Sequence, residues 1–169
     1  MRLFALILVI VVAGCQSQTM NFTCCKSEYK IITQNYNASN DFDIWIPQAF
    51  TPNGDGINDV FQIHVTEGGR VERLTVKKGL RTIYDSSDFF VAIWDGSNED
   101  DGRYRYTAEI RTDEGDVIEL KGKVCLMRLN TINLDILENQ ENKICDCVMP
   151  DMIDARRGII YNSVECPTN

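Results

Sequence analysis

Histidine is almost absent from the sequence, and so are the short motifs that mark many enzyme active sites. His64 is the single histidine among 169 residues, which excludes a metal site with two histidine ligands and leaves one candidate base for a catalytic triad. No Gly-rich phosphate loop, HExxH or GxSxG pattern is present. His64 is predicted on the polar face of a strand, with no serine or cysteine nucleophile placed beside it. We therefore expect a protein that is not an enzyme.

Positive charge and long apolar stretches are also scarce. The 17 lysines and arginines are outnumbered by 25 acids, which gives a formal net charge of -8. Because nucleic-acid binding needs a basic face, this balance argues against a nucleic-acid partner. The apolar run at residues 3–13 is shorter than the roughly 20 residues that span a bilayer. With 44% hydrophobic residues, the chain can still bury the core of one domain.

The N-terminus has the pattern of an export signal followed by a lipidation site. A positive start at Arg2 precedes the apolar run, and the segment VAGC at 12–15 resembles a bacterial lipobox with Val in place of the usual Leu. We predict a lipoprotein signal peptide at 1–14 and lipidation of Cys15 by acyl chains such as palmitate, which would anchor the protein to a membrane. An ordinary signal peptide with a chance cysteine is the alternative. Residues 16–20 lack both the Asp that retains lipoproteins at the inner membrane and an acidic run. We therefore expect an outer-membrane anchor, on the periplasmic or the cell-surface face.

Six cysteines remain after Cys15, and an even number in an exported chain predicts a disulfide framework. Two lie in a polar tether at 15–40, one ends the β-rich middle and three lie in an extension at 129–169: Cys24, Cys25, Cys125, Cys145, Cys147 and Cys166. Bridges would link both extensions to the core, each contributing roughly 2–4 kcal/mol. Six cysteines allow about 15 pairings, among which the sequence does not choose. A redox or zinc site at the Cys-Asp-Cys segment 145–147 is the alternative.

The middle of the chain alternates apolar and polar residues, which is typical of β-strands. Turn residues at 78–79 and 114–116 separate some of the alternating segments, which lie at 44–46, 61–65, 71–76, 80–84, 89–94, 103–110 and 117–127. No segment there has a convincing helical period. Several short strands with turns between them predict an all-β sandwich or barrel.

The same region resembles a known family in four ordered blocks. The blocks are IPQAFTPNGDGINDVF at 46–61, RLTV with IY at 73–76 and 83–84, WDG with DGRYRY at 94–96 and 101–106, and LKGKVCLMR at 120–128. They resemble the gliding-motility-associated C-terminal domain, which is the type B sorting domain of type IX secretion, over residues 41–128. The resemblance implies an immunoglobulin-like β-sandwich, here with disulfide-linked N- and C-terminal extensions.

Two departures from this family affect the expected function. The family's domain ends the chain as an export signal, whereas residues 129–169 follow here and a lipobox precedes. We therefore expect a non-catalytic, membrane-anchored lipoprotein that acts as an interaction or accessory module, with a protein partner, in an envelope with type IX secretion or gliding. A sorting domain recognised by the type IX machinery is one alternative, and an enzyme of unknown type is another.

The loop TPNGDGIND at 51–59 resembles half of a calcium-binding loop. Asn53 and Asp55 have the spacing of alternating oxygen ligands, and Asp59 could add a carboxylate. The ligand set is incomplete, because Thr51 and Gln62 stand where an EF-hand has acids. In the structural alternative, these side chains bond the backbone amides of their own loop. We expect no cofactor, with calcium as the alternative.

A second loop, at residues 94–102, contains four acids. Such a run could bind a hard cation weakly, but a solvated turn is the commoner outcome. Tyr104 and Tyr106 follow the loop and share one face of a predicted strand. We expect them to pack between sheets rather than to form a stripe for a partner.

Overall fold

The computed structural model of this chain describes residues 29–33, 42–86, 92–128, 147–154 and 156–160. The predicted signal peptide at 1–14, the lipidation site Cys15 and four of the disulfide candidates, Cys24, Cys25, Cys145 and Cys166, lie outside the described residues. They stay predictions.

In the described part of the chain, short and long strands follow one another almost without helix. In chain order they are β1 (Lys30–Ile31), β2 (Ile44–Trp45), β3 (Ala49–Phe50), β4 (Phe61–Gln62), β5 (His64–Val65), β6 (Gly69–Lys78), β7 (Arg81–Asp85), β8 (Ile93–Trp94), β9 (Gly102–Thr112), β10 (Val117–Leu126), β11 (Ile153–Asp154) and β12 (Gly158–Ile159). A short 3₁₀ helix, Pro150–Met152, precedes β11. None of the described helical residues belongs to a segment long and apolar enough to cross a membrane.

The main sheet has the order β1-β10-β9-β6-β7, and all these neighbours are antiparallel. β3 joins β10 in parallel, next to the place where β1 pairs with it. Two tight turns connect the long strands, at Gly79 with φ 63° and Gly115 with φ 94°. Glycine adopts these positive φ angles without strain. The two turns therefore form at the glycines where we predicted them. Leu80, which we predicted at the start of a strand, lies instead in the first turn.

Alternating burial along the long strands places one face of the main sheet in the core. On β9, Tyr104, Tyr106, Ala108 and Ile110 are buried, while Arg103 and Arg105, which each precede one of the tyrosines, are exposed. This is the period of two expected for a half-buried strand. The tyrosines therefore pack inside, as expected from the sequence.

Two short ladders cover the buried face of the main sheet. β2 pairs with β5, and β4 pairs with β8. Aromatic rings join the two layers: Trp94 lies 4.9 Å from Tyr104 and 5.1 Å from Phe50, and Phe61 lies 5.1 Å from Tyr106, between ring centroids. Each such pair adds about 0.5–1.5 kcal/mol beyond its burial. The predicted all-β class is confirmed, and the arrangement is consistent with a β-sandwich. The immunoglobulin-like topology stays a prediction.

The described part of the C-terminal extension packs against the same domain. Gln48 N donates to Val148 O at 2.7 Å, and Val148 N donates to Gln48 Oε1 at 3.0 Å. Met149 is fully buried. Gly158 lies so close to Trp45 that an added Cβ would be 3.0 Å from the indole ring. We call residues 147–160 the C-terminal strap, which lies along β3 and β2.

Candidate functional site

The loop at 51–59, which we call the corner loop, connects β3 to β4 and is organised around Asp59. The Asp59 carboxylate accepts hydrogen bonds from Gly54 N at 2.8 Å and from Gly56 N at 2.7 Å. Both glycines have positive φ, at 85° and 87°, which lets their amides point inwards. The acid therefore bonds backbone donors of its own loop.

Asn53 and Asp55 complete this network of internal hydrogen bonds. Asp55 N donates to Asn53 Oδ1 at 3.0 Å, and Asn53 Nδ2 donates to Asp55 Oδ2 at 2.9 Å. Ile57 N donates to Asp55 Oδ1 at 2.8 Å. The side-chain oxygens of all three candidate calcium ligands thus already accept hydrogen bonds, and the Asn53 amide donates to Asp55. This arrangement matches the structural alternative. Within the ranges that the structure describes, no group of three or more His, Cys, Asp or Glu side chains could hold a metal ion.

Asn58 connects the corner loop to the C-terminal strap, a role that the sequence analysis missed. Its φ is 53°, a left-handed conformation that asparagine tolerates better than most residues. Its side chain is buried, and its Oδ1 accepts a hydrogen bond from Asp151 N at 2.7 Å. Its own carbonyl accepts from Thr51 N at 2.8 Å. One residue therefore shapes the loop and holds the strap. The Gly-Ile-Asn sequence signalled a turn, but it did not signal the distant contact.

The acidic loop at 94–102 is held by two arginines, Arg81 on β7 and Arg128 just after β10. Arg128 donates to Asp101 Oδ1 at 2.9 Å, to Glu99 O at 2.8 Å and to Gly96 O at 3.1 Å. Arg81 donates to both carboxylate oxygens of Glu99, at 2.8 and 2.9 Å. These bonds fix the loop from two sides. Three of its four acids, Glu99, Asp100 and Asp101, are part of ion pairs, so the loop is more than a simple solvated turn.

Two further contacts close this loop. Ser97 donates to the Asp95 carboxylate from its backbone N at 2.9 Å and from its hydroxyl at 2.6 Å, and these bonds lower the pKa of Asp95. Lys78 Nζ donates to the Tyr104 hydroxyl at 3.1 Å, and that bond raises the pKa of Lys78. The Tyr104 hydroxyl in turn donates to Asp100 O. A buried aromatic residue therefore ties the loop to the core.

His64 lies on β5, opposite Trp45, and is partly buried. Burial lowers its pKa. A cavity of 270 Å³ adjoins it. Among the described residues that line this cavity, none carries a hydroxyl, a thiol or a carboxylate. This arrangement offers His64 no nucleophile and no acid to orient it. The expectation that the protein is not an enzyme stays a prediction.

Two of the candidate cysteines lie in the described residues. Cys125 on β10 and Cys147 at the start of the strap are each about 1% exposed and disulfide-bonded. Both lie close to β3, because Cys125 pairs with Ala49 and the neighbour of Cys147, Val148, accepts from Gln48 N. The pairing of the six candidates stays a prediction.

No curated protein and no solved structure matches the chain. A protein-family comparison does give a match, and its boundaries correspond to the sandwich described above, from β2 to the end of β10. It indicates a domain related to type IX secretion sorting, and thus a secreted or envelope protein. Residues 44–125 match the family model of the CHU_C type IX secretion signal domain, which confirms the resemblance predicted for residues 41–128.

Proposed function

We propose that this protein is a non-catalytic lipoprotein, held at the outer membrane through Cys15, that serves as an interaction or accessory module in an envelope with type IX secretion or gliding. The observation that carries the proposal is the position of the matched domain. It follows a lipobox-like segment at 12–15, and the strap at 147–160 is packed onto it. The domain is thus integrated into a larger fold instead of standing as a separate terminal tag.

The strap supports this view through the backbone groups that it uses. Val148 accepts from the amides of Gln48 and Ala49, at 2.7 and 3.4 Å, at the start of β3. Met149 and Met152 of the strap are themselves buried. Disulfides at Cys125 and Cys147 would reinforce the arrangement. A stable module that keeps this edge covered suits a permanent envelope component.

The rival function is a sorting domain that the type IX machinery still recognises. The family match at 44–125 is the observation in its favour. The two functions make opposite predictions for a cell that lacks a working type IX system. An anchored accessory protein reaches the outer membrane as before, whereas a sorted protein accumulates in the periplasm.

The test follows the intact protein in its native host, with and without a functional type IX system. Wild type and Cys15→Ser are labelled with a palmitate analogue, and membrane and soluble fractions are separated. We expect label on wild type only, and outer-membrane location in both strains. Digestion of whole cells with protease then reports the membrane face.

Two results would contradict the proposal. If Cys15→Ser keeps the label, or if the unlabelled variant stays in the membrane fraction after a wash at high salt, the anchor is not at Cys15. If wild type reaches the outer membrane only in the strain with type IX secretion, the sorting function is correct instead. The remaining alternative is an enzyme. It predicts that His64→Ala, produced in the same amount as wild type, fails to restore a function that the deletion strain has lost.

A further inference from the structure

The outer face of the main sheet carries a groove of 720 Å³ whose charged lining residues are all basic. They come from four strands: Lys30, Lys77, Arg105, Lys121 and Lys123. We call this surface the basic groove. The chain as a whole is acidic, with 25 acids against 17 basic residues. The groove has the opposite charge, because its lining contains five basic residues and no acid.

The strand register brings these cations directly opposite one another. Arg105 on β9 faces Lys123 on β10 and Lys77 on β6, and Lys121 on β10 faces Lys30 on β1. Like charges in directly opposed positions destabilise a sheet. The fold therefore holds a row of cations at a cost in stability, which an anionic ligand would relieve.

Other cations of the same sheet are paired with acids, which makes the basic groove distinct. Arg73 contacts Asp85 at 2.6 Å, and Arg111 donates to Glu72 at 2.5 Å. Over the described ranges, the lysines of the groove form no ion pair with another residue. Their charge is therefore available to a partner.

An exposed apolar side chain stands at the rim of the groove. Leu80, at the tip of the β6–β7 turn, is 99% exposed, and it lines the groove together with Gly79. Arg105 donates to Gly79 O, which holds the turn beside the cations. An apolar residue at a loop tip next to a basic surface is the combination by which peripheral proteins enter the membrane interface.

The length of the chain before the sheet favours a membrane over other anionic partners. Lys30, a groove residue, is 15 residues from Cys15. A fully extended chain of that length spans at most about 50 Å. This step rests on the proposed lipid anchor. An anchored protein therefore keeps the groove within reach of its own bilayer, where the effective lipid concentration is high. One acyl anchor combined with a basic surface is a common form of stable attachment.

We propose that the basic groove docks this protein onto the anionic headgroups of the membrane, with Leu80 entering the interface. Binding would place the main sheet flat on the lipid surface and leave the corner loop and the strap free for a protein partner.

The test measures binding to vesicles without the acyl anchor. The chain from residue 15 onwards, oxidised and carrying Cys15→Ser, retains every residue of the described fold. It is sedimented with phosphatidylcholine vesicles and with vesicles in which about a third of the lipid is phosphatidylglycerol. We expect binding to the anionic vesicles only, and its loss in high salt.

Each lysine near such a surface contributes about fivefold in affinity, so Lys77→Gln/Lys123→Gln should bind about 25-fold more weakly. Leu80→Asn should also bind more weakly.

A matched control removes two exposed cations elsewhere. Arg156→Gln/Arg157→Gln changes the net charge equally, but these residues lie on the strap outside the groove. We expect unchanged vesicle binding. Equal binding to neutral vesicles, or equal weakening by both double variants, would overturn the proposal. Binding to soluble poly-glutamate without binding to anionic vesicles would also overturn it and assign the groove to an acidic protein. Because the protein lacks its acyl chain here, failure leaves the lipid anchor untouched.

Discussion

Asn58 offers the sharpest test of how the corner loop and the strap depend on each other. Asn58→Gly keeps the positive φ of 53° accessible but removes the oxygen that accepts from Asp151 N at 2.7 Å. An unsatisfied, partly buried backbone amide costs about 1–3 kcal/mol. Asn58→Ala loses the same hydrogen bond and also forces a Cβ residue into the left-handed region, which adds about 1–2 kcal/mol. The two variants should therefore differ in stability, with alanine the worse.

Asn98 supplies the matched control for this comparison. It also has a positive φ, 62°, but its side chain is exposed. Asn98→Ala should lose only the backbone contribution of about 1–2 kcal/mol, and Asn98→Gly should be close to wild type. All four variants are compared by urea unfolding, with the strap followed by hydrogen exchange at the Asp151 amide. Exchange at Asp151 should become faster in Asn58→Gly and stay unchanged in Asn98→Gly. If Asn58→Gly matches wild type in both measurements, the hydrogen bond does not hold the strap.

Three further predictions concern other parts of the fold. Gly96→Ala should lower the free energy of unfolding by about 2–4 kcal/mol, because the new Cβ would lie 2.4 Å from a leucine methyl group and the φ angle is 69°. Gly54→Ala should lower it by only about 1–2 kcal/mol, because the φ angle of 85° is also strained but the space around the Cβ is open. Burial lowers the pKa of His64 below its ordinary value of 6.5, so the unfolded chain binds a proton more readily than the folded protein does. The free energy of unfolding should therefore fall as the pH drops below about 6.5. This fall should be smaller in His64→Gln when unfolding is measured from about pH 7 to about pH 5.5. Peptide mapping without reduction should find both Cys125 and Cys147 in disulfides, and a free thiol at either position would contradict the structure.

The sandwich could be predicted from the sequence because its long strands are formed by local patterns. Alternation at Tyr104 and Tyr106 gave the buried face of β9, and the Lys78-Gly79 and Glu114-Gly115 pairs gave the turns. Residues next to one another in sequence form these hairpins, so period and turn chemistry suffice. The family resemblance then extended the same conclusion across residues 41–128.

The contacts between distant segments could not be predicted in the same way. Lys30 and Ile31 form an edge strand inside the stretch that we expected to be a tether, and two residues carry no readable period. The parallel pairing of β3 with β10 joins positions 76 residues apart, for which no turn signal exists. The basic groove was also missed, because its cations are spread over four strands and only the register assembles them.

The corner loop shows that one set of residues can fit two different roles, calcium ligands or hydrogen-bond acceptors for their own loop. The sequence singled out Asn53, Asp55 and Asp59, and the structure brings all three together in one network. Spacing alone does not reveal whether oxygens face a cation or the amides of their own loop. The donors that decide the question are backbone groups of Gly54 and Gly56, whose direction depends on φ angles that the sequence does not state.

The pairing of β10 limits how any receptor could read the last strand of the matched domain. Along its whole length β10 is hydrogen-bonded to β9, and its opposite side is occupied by β1 near Leu120 and by β3 near Cys125. A receptor that added its own strand there would first have to peel away one of these short neighbours. Recognition of β10 in the folded protein would therefore depend on its outward-facing side chains, and its backbone would become accessible where β1 or β3 is displaced.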